Sequence, residues 1–324
     1  MKIINRDQLL KELKFPEIIK ALAEGFCQDF TVPPRPHFHY ENHVDDTQSS
    51  LLFMPAWGME GFMGLKIVTV TPGNHRRNLP TIQGSYLLLD MVTGDVIAQI
   101  DATTLTYLRT ACTSAVASNF LSRENSSKLL MVGTGGLVPY LISAHASVRP
   151  IEKVMIWGRN YEKAAELIKT LNKPAISIYP VRNLNAAIPE ADIISTATLS
   201  KRPLIKGSCL VPGQHLDLVG SYRADMREAD DQTIRKASIF IDTNCGMVES
   251  GDLKQPLDAG VIREENIKGD IFNLCRREVS GRRNQSQLTL FKSVGHASQD
   301  LIVAVLAYRK LFNDKTITHE NGNK

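Results

Sequence analysis

Three groups of residues in this chain have types and spacings that could do chemistry. The first is Gly133-Thr134-Gly135-Gly136, which follows the apolar run Leu129–Val132 and precedes a segment with helical character. A second apolar run, Val154–Trp157, then ends at Gly158-Arg159. Strand, glycine turn, helix and strand in that order suit the pyrophosphate of a dinucleotide. The glycines let the backbone turn sharply and approach the phosphates, and the next helix offers free N–H groups and the positive end of its dipole. The carboxylate that usually follows the second strand and binds a ribose 2′-hydroxyl is absent. Arg159 stands there instead, a donor suited to a 2′-phosphate. NADPH is the expected cofactor, with NADH as the alternative. The third small position of the fingerprint is Val138, beside Pro139, which a helix tolerates in its first turn. A tight strand-to-helix turn without a ligand is the competing explanation.

The second group is cationic. Lys66 lies within the apolar strand Phe62–Val70, where an ammonium is costly unless it meets an anion or water. Arg109, followed by Thr110, lies in a helix and could clamp a carboxylate through two parallel N–H bonds. Pro33-Pro34-Arg35-Pro36 is a rigid turn presenting a further arginine. For each, an ordinary surface or ion-paired cation is the alternative.

The third group is weaker. His37, His39 and His43 invite a metal, but no carboxylate or cysteine completes a convincing set nearby, so no metal is expected. Asp217, Asp225 and Asp230 surround Val219-Gly220-Ser221-Tyr222, and capping of a helix over residues 226–236 is the simpler role for them.

The elements that must hold these residues follow from periodicity. Residues 7–30 predict two short helices broken near Pro16. Segments 50–54, 62–70, 81–90 and 95–101 predict a mostly antiparallel sheet. Residues 105–121 predict a helix rich in small residues (Ala111, Ser114, Ala115, Ala117, Ser118) that permits close packing. Residues 128–242 alternate strand and helix, which implies a parallel doubly wound sheet. Ala297–Leu311 predicts a last apolar-striped helix, with a polar, frayed tail from Asn313. The expected fold is α/β: a Rossmann-type domain over residues 123–295, and an α+β substrate and dimerisation domain over 1–122 completed by 296–324.

Composition agrees with this class and excludes others. The 324 residues suffice for two cores, and 43% apolar with 22% charged residues is ordinary for a soluble globular protein. The net charge of +4 comes from scattered Lys and Arg, so a nucleic-acid surface is not expected, whereas anionic ligands fit. The N-terminus has no apolar core of a signal peptide, and no segment reaches the roughly 18 apolar residues needed to cross a bilayer. Five widely spaced cysteines without a CxxC pair suggest a reduced, cytoplasmic protein.

Together these pieces resemble the ornithine cyclodeaminase/μ-crystallin family. The matching segments are GLKIVTVTPGN (64–74), LPTIQGSYLLLD (79–90), LTYLRTACTSAVAS (105–118), VGTGG (132–136), ADIISTAT (191–198), LVPGQHLDLVGSYRADMREAD (210–230), ESGDL (249–253) and FKSVG (291–295). The resemblance implies a homodimer, with Lys66, Arg109, Arg35 and Thr81 contacting a small-molecule substrate. Two departures narrow the activity. Tyr222 stands where cyclodeaminases carry an aspartate used in deamination. No acid precedes Met54-Pro55, where they meet a distal amine. A phenol titrating near pH 10 is a poor base at neutral pH, though it can donate a hydrogen bond.

Within the family the wording is most like members that reduce Δ1-pyrroline-2-carboxylate to L-proline, with the six-membered Δ1-piperideine-2-carboxylate as a second candidate substrate. On that view Arg109 and Arg35 hold the carboxylate, Lys66 supplies a proton, and Tyr222 bonds near the ring. The cofactor is assigned Gly133, Gly135 and Gly136 at its pyrophosphate and Arg159 with Asn160 at its 2′-phosphate. Thr110, Thr196, Ser221 and Lys292 are assigned near its ribose or nicotinamide. A cyclodeaminase, an amino-acid dehydrogenase of the family and a crystallin-like NADPH-dependent binding protein are the alternatives.

Overall fold

Alternating and continuous apolar runs sort the chain into two sheets, one in each of two units. The computed structural model describes residues 1–42, 47–59, 61–77, 79–171 and 173–312. One unit comprises Met1–Thr110 with the chain from His296 onward, and the other comprises Ala111–Gly295. His43 and the tail from Asn313 lie outside the described residues.

The first unit opens with β1 (Lys2–Ile4), α1 (Arg6–Glu12) and α2 (Phe15–Gly25). Asn5 and Gln8 form a reciprocal capping box at 3.0 Å in each direction, which fixes where α1 starts. The break between the helices falls at Leu13-Lys14 rather than at Pro16, because Pro16 occupies the first turn of α2, where its missing N–H needs no partner.

Strands β2 (His37–Asn42), β3 (Thr47–Met59), β4 (Phe62–Val70), β5 (Ile82–Asp90) and β6 (Val96–Asp101) follow. The sheet order is β1-β6-β5-β4-β3-β2, with only the β1–β6 pair parallel. The two edge strands escaped the periodicity argument: β1 has only three residues, and β2 (HFHYEN) alternates over only two aromatic residues, Phe38 and Tyr40, which stay exposed. Along β4 the alternation is strict where it matters. Phe62, Gly64 and Lys66 are buried, while the residues between them are half-buried.

Helix α3 (Ala102–Leu121) carries the chain out of this unit, and its small residues Ala111, Ser114, Ala115, Ala117 and Ser118 are all buried. Its last turn is held within the second unit. The Arg149 guanidinium donates to the carbonyls of Ser118 (3.1 Å) and Asn119 (2.8 Å) and to the Ser122 hydroxyl (2.8 Å). The unit boundary therefore falls inside α3, at Thr110, and not in the loop after residue 122.

The second unit reads β7 (Lys128–Val132), α4 (Val138–Ala146), β8 (Lys153–Trp157), α5 (Tyr161–Lys169), β9 (Ser177–Pro180), α6 (Leu184–Ala187), β10 (Ile193–Thr196) and β11 (His215–Leu218). It continues through α7 (Asp231–Lys236), β12 (Ser238–Ile241), α8 (Cys245–Glu249), α9 (Gly251–Asp258), β13 (Ile267–Asp270), α10 (Ile271–Cys275) and β14 (Thr289–Lys292). All eight strands are parallel, in the order β13-β12-β14-β11-β10-β7-β8-β9. From β7 the chain winds to β8 and β9 on one side, then returns to β10 on the other. The strand order thus reverses between β7 and β10, where α/β sheets open a crevice at the carboxyl ends of their strands. This is the Rossmann-type doubly wound sheet. β13 (IKGD) and β14 (TLFK) were not anticipated. Helix α11 (Ala297–Phe312) returns to the first unit and packs on α2, β3 and β4. No helix among the described residues is long and apolar enough to cross a membrane.

Candidate functional site

In the first unit the inward face of β4 and the first turn of α11 bring one anion to two cations. Lys66 is 2% exposed, and its Nζ lies 2.7 Å from Asp300 Oδ2. The Nε of Arg109, on α3, donates to Asp300 Oδ1 at 3.0 Å, and another guanidinium nitrogen donates to Gln299 Oε1 at 2.9 Å. A mid-strand lysine among apolar neighbours requires an anion, and Asp300 is that anion. Its signal in sequence was slight: one acid, Gln299-Asp300, at the head of an otherwise apolar helix.

The electrostatics follow from the geometry. Burial pushes the Lys66 ammonium down to about 8, against the pull of Asp300, with Arg109 and Arg35 adding to the fall. Burial alone would raise the Asp300 carboxyl, but Arg109 and Lys66 hold it below the ordinary range. Two cations on one carboxylate leave a surplus positive charge in a dry place, and half-buried Arg35 adds to it. Such a cluster accepts one more anion, and a lysine titrating near 8 can give up a proton at neutral pH.

Directly across the sheet from Lys66 stands Tyr86, and a methyl group on Gly64 would lie only 1.8 Å from its hydroxyl. Gly64 is therefore needed to admit the phenol. Thr81 is half-buried at the start of the β5 hairpin, and its carbonyl accepts from the Thr71 N–H at 2.8 Å. The structure gives Thr81 no hydrogen bond to the Lys66–Asp300–Arg109 cluster. Thr110, next to Arg109 on α3, is 7% exposed. His39 bonds Ser50 across the β2–β3 pair at 2.9 Å.

In the second unit the glycine turn has the properties that a pyrophosphate requires. Gly133 has a φ of +131°, and a side chain there would strike the Ala197 carbonyl at 2.6 Å. At Gly135 a side chain would meet nothing within 4 Å, so protein packing does not call for a glycine there. A glycine there leaves room for a ligand to approach the backbone closely. Gly135 and Gly136 are exposed, and α4 begins without a side-chain cap; its Val138 and Tyr140 N–H groups turn back to the Gly135 and Leu137 carbonyls at 3.1 Å, and Pro139 has none, so the glycine backbone itself is what faces a ligand there. Arg159 is exposed just beyond β8. Asn160 caps α5, accepting from the Lys163 N–H at 3.0 Å.

Three other residues assigned to the cofactor are bonded within the protein. Thr196, Ser221 and Lys292 are all completely buried. The Thr196 hydroxyl donates to Glu228 at 2.7 Å. Ser221 donates to the Met226 carbonyl at 2.8 Å and also meets Ser250. Lys292 donates to the Leu218 carbonyl at 3.0 Å and lies 3.4 Å from Asp252. Strand ends that converge at a crevice have unpaired polar groups to satisfy, and these side chains satisfy them.

The organiser of this network is Glu228, which no motif singled out. Its Oε2 accepts from Thr196 and from the Gly220 N–H (2.8 Å), and its Oε1 accepts from the Thr198 N–H and hydroxyl (2.8 Å each). One carboxylate thereby ties the loop after β10 to the loop after β11. Asp252 in turn accepts from the Glu228 and Ala229 N–H groups at 2.7 and 3.0 Å. Burial and the neighbouring Asp252 push the Glu228 carboxyl up.

The three nearby aspartates have separate roles. Asp230 caps α7 through the Thr233 N–H, Asp225 pairs on the surface with Lys201 and Arg223, and buried Asp217 accepts from Ser195 and His145. Only Asp230 acts as a helix cap. Tyr222 is half-buried, and burial raises its phenol above the ordinary value, which makes it a still poorer base.

The model of the ornithine cyclodeaminase/mu-crystallin family matches residues 3–315. The chain belongs to this family. It is 36% identical over 315 residues to a Δ1-pyrroline-2-carboxylate reductase of Colwellia psychrerythraea, covering 96% of this chain and 99% of that one. Among solved structures, the Δ1-pyrroline-2-carboxylate reductase of Thermococcus litoralis in complex with NADH and L-proline superposes with a TM-score of 0.90 at 31% identity. It covers 97% of this chain and 98% of its own. An archaeal alanine dehydrogenase dimer with bound NAD superposes at 0.89 with 26% identity, covering 98% and 97%.

Proposed function

We propose that this family member reduces the C=N bond of Δ1-pyrroline-2-carboxylate to give L-proline, with a nicotinamide dinucleotide as reductant. The observation that carries this is the buried surplus of positive charge at Lys66, Arg109 and Asp300. It suits a small substrate with one carboxylate, and relatives bearing the reductase name support the reaction type.

The cofactor supplies hydride when bound. Arg109 and Arg35 hold the substrate carboxylate and so fix the imine carbon; hydride transfer needs the reacting atoms within about 3–3.5 Å. Asp300 keeps Lys66 protonated and aimed. Reduction adds hydride to C2 and leaves the ring nitrogen needing a proton. Lys66, near 8, supplies it and regains one from solvent. Gly133, Gly135 and Gly136 receive the pyrophosphate, and Arg159 with Asn160 favours NADPH over NADH. The functional unit is read as a homodimer, as the resemblance implies and as the archaeal alanine dehydrogenase is described.

The test is oxidation of NADPH by the purified protein with Δ1-pyrroline-2-carboxylate, with Δ1-piperideine-2-carboxylate and ornithine in parallel. Rapid oxidation with the imines and none with ornithine is expected. Ammonia released from ornithine, with the imines inert, would overturn the proposal.

A further inference from the structure

Arg159 is not the only arginine where the adenosine end of a dinucleotide would rest. β8 and β9 run parallel with Ile156 opposite Pro180, so Gly158 and Arg182 leave the sheet at the same level. The Val181 N–H still pairs with the Ile156 carbonyl at 2.9 Å. Asn183 then caps α6 by accepting from the Ala186 N–H, which fixes the backbone on the far side of Arg182. The Arg182 guanidinium lies 3.7 Å from the ring centre of Tyr161, the first residue of α5, two positions beyond Arg159.

Arg182 therefore stands over the first turn of the helix that Arg159 precedes, and both arginines are exposed. Among the described residues neither has a carboxylate partner. Gly158 packs so closely on Thr134 that an added methyl would meet its side chain at 2.6 Å, so this corner adjoins the glycine turn. A guanidinium stacked on an aromatic ring has given up much of its rotamer freedom beforehand while its N–H fork stays free.

We propose that Arg182, held by Tyr161, is a second reader of the 2′-phosphate and makes the nucleotide selectivity a two-arginine property. This rests on the reading that the dinucleotide pyrophosphate binds at Gly133–Gly136. One guanidinium meets a phosphate dianion with only half the charge needed to neutralise it; two meet it with all of it. Without a 2′-phosphate, Arg182 has nothing in that corner to bond.

The experiment is calorimetric binding of adenosine 2′,5′-bisphosphate and of 5′-AMP to the full chain, so that the readout is independent of turnover. The wild type is expected to prefer the bisphosphate. Arg182→Ala should cut that preference roughly tenfold while leaving 5′-AMP within about twofold. Tyr161→Ala should show a smaller loss, and Tyr161→Phe, which keeps the ring, none. If Arg159→Ala abolishes the preference but Arg182→Ala leaves it intact, the second reader is refuted while the cofactor site stands. If the wild type binds both probes equally, the 2′-phosphate selectivity itself is wrong and Arg182 falls with it.

Discussion

Each unit buries a carboxylate at the place where its chemistry would happen, and the two carboxylates are treated in opposite ways. Asp300 sits between two cations, which hold its carboxyl below the ordinary range despite burial. Glu228 accepts from neutral donors beside a second carboxylate, and burial drives its carboxyl up, with the Lys292 ammonium offsetting only part of the rise. Charge is concentrated in the first case and dispersed over N–H and O–H groups in the second. The first arrangement is suited to binding an anion and moving a proton, and the second to fixing backbone. Burial alone therefore does not mark a reactive acid; the partners decide.

The largest effect that could break this contrast is at Lys66. Lys66→Ala should slow imine reduction by roughly 10²- to 10⁴-fold, while NADPH affinity, read by fluorescence titration, stays unchanged. Turnover surviving the substitution would remove the proposed proton donor. Next in size, Asp300→Ala leaves both cations uncompensated, so it should destabilise the fold by about 3–5 kcal/mol in urea unfolding as well as slow turnover. A variant as stable as the wild type would mean that the surplus charge is not held by this pair.

Glu228→Gln sharpens the contrast from the other side. Two acceptor oxygens become one acceptor and one donor facing N–H and O–H groups, and a mismatched buried group costs about 1–3 kcal/mol. The cofactor Kd should rise by roughly tenfold, with the pH profile of turnover unmoved. A shifted profile would instead make Glu228 part of the proton chemistry.

The pH dependence is a smaller test. Turnover should be level below about 8 and decline above it, because Lys66 acts in its protonated form. The last is confined to stability. Buried His215 is held neutral down to about 3, whereas an unfolded histidine titrates near 6.5. Between those values the unfolded chain binds the extra proton, so stability falls as pH falls, by up to about 1.4 kcal/mol per pH unit. His215→Asn should flatten that acid slope in urea unfolding midpoints.

The Rossmann-type sheet was readable because its central strands are continuous apolar runs bounded by glycine. β7 and β8 fall where periodicity put them, at 128–132 and 153–157. Lys66 stood out because a charge in an apolar strand violates local patterning. By contrast, β13 (IKGD) carries no apolar run, and β1 gains its meaning only from its pairing with β6. Lys292 was assigned to the cofactor only through the resemblance, and the fold turns it inward to Leu218 and Asp252.

Local sequence by itself determined the glycine turn, the arginine after β8 and the misplaced lysine. Each is a conflict or a necessity within a few residues: positive φ, an absent acid, a charge among apolar neighbours. Only the tertiary structure decided which carboxylates matter. Asp300 is 234 residues from Lys66, and Glu228 is 32 from Thr196. Such pairings come from chain topology, and no periodicity carries information over those separations. The same acid residue type then becomes an ionised partner or a raised, hydrogen-bonded clamp, according to what the fold places around it.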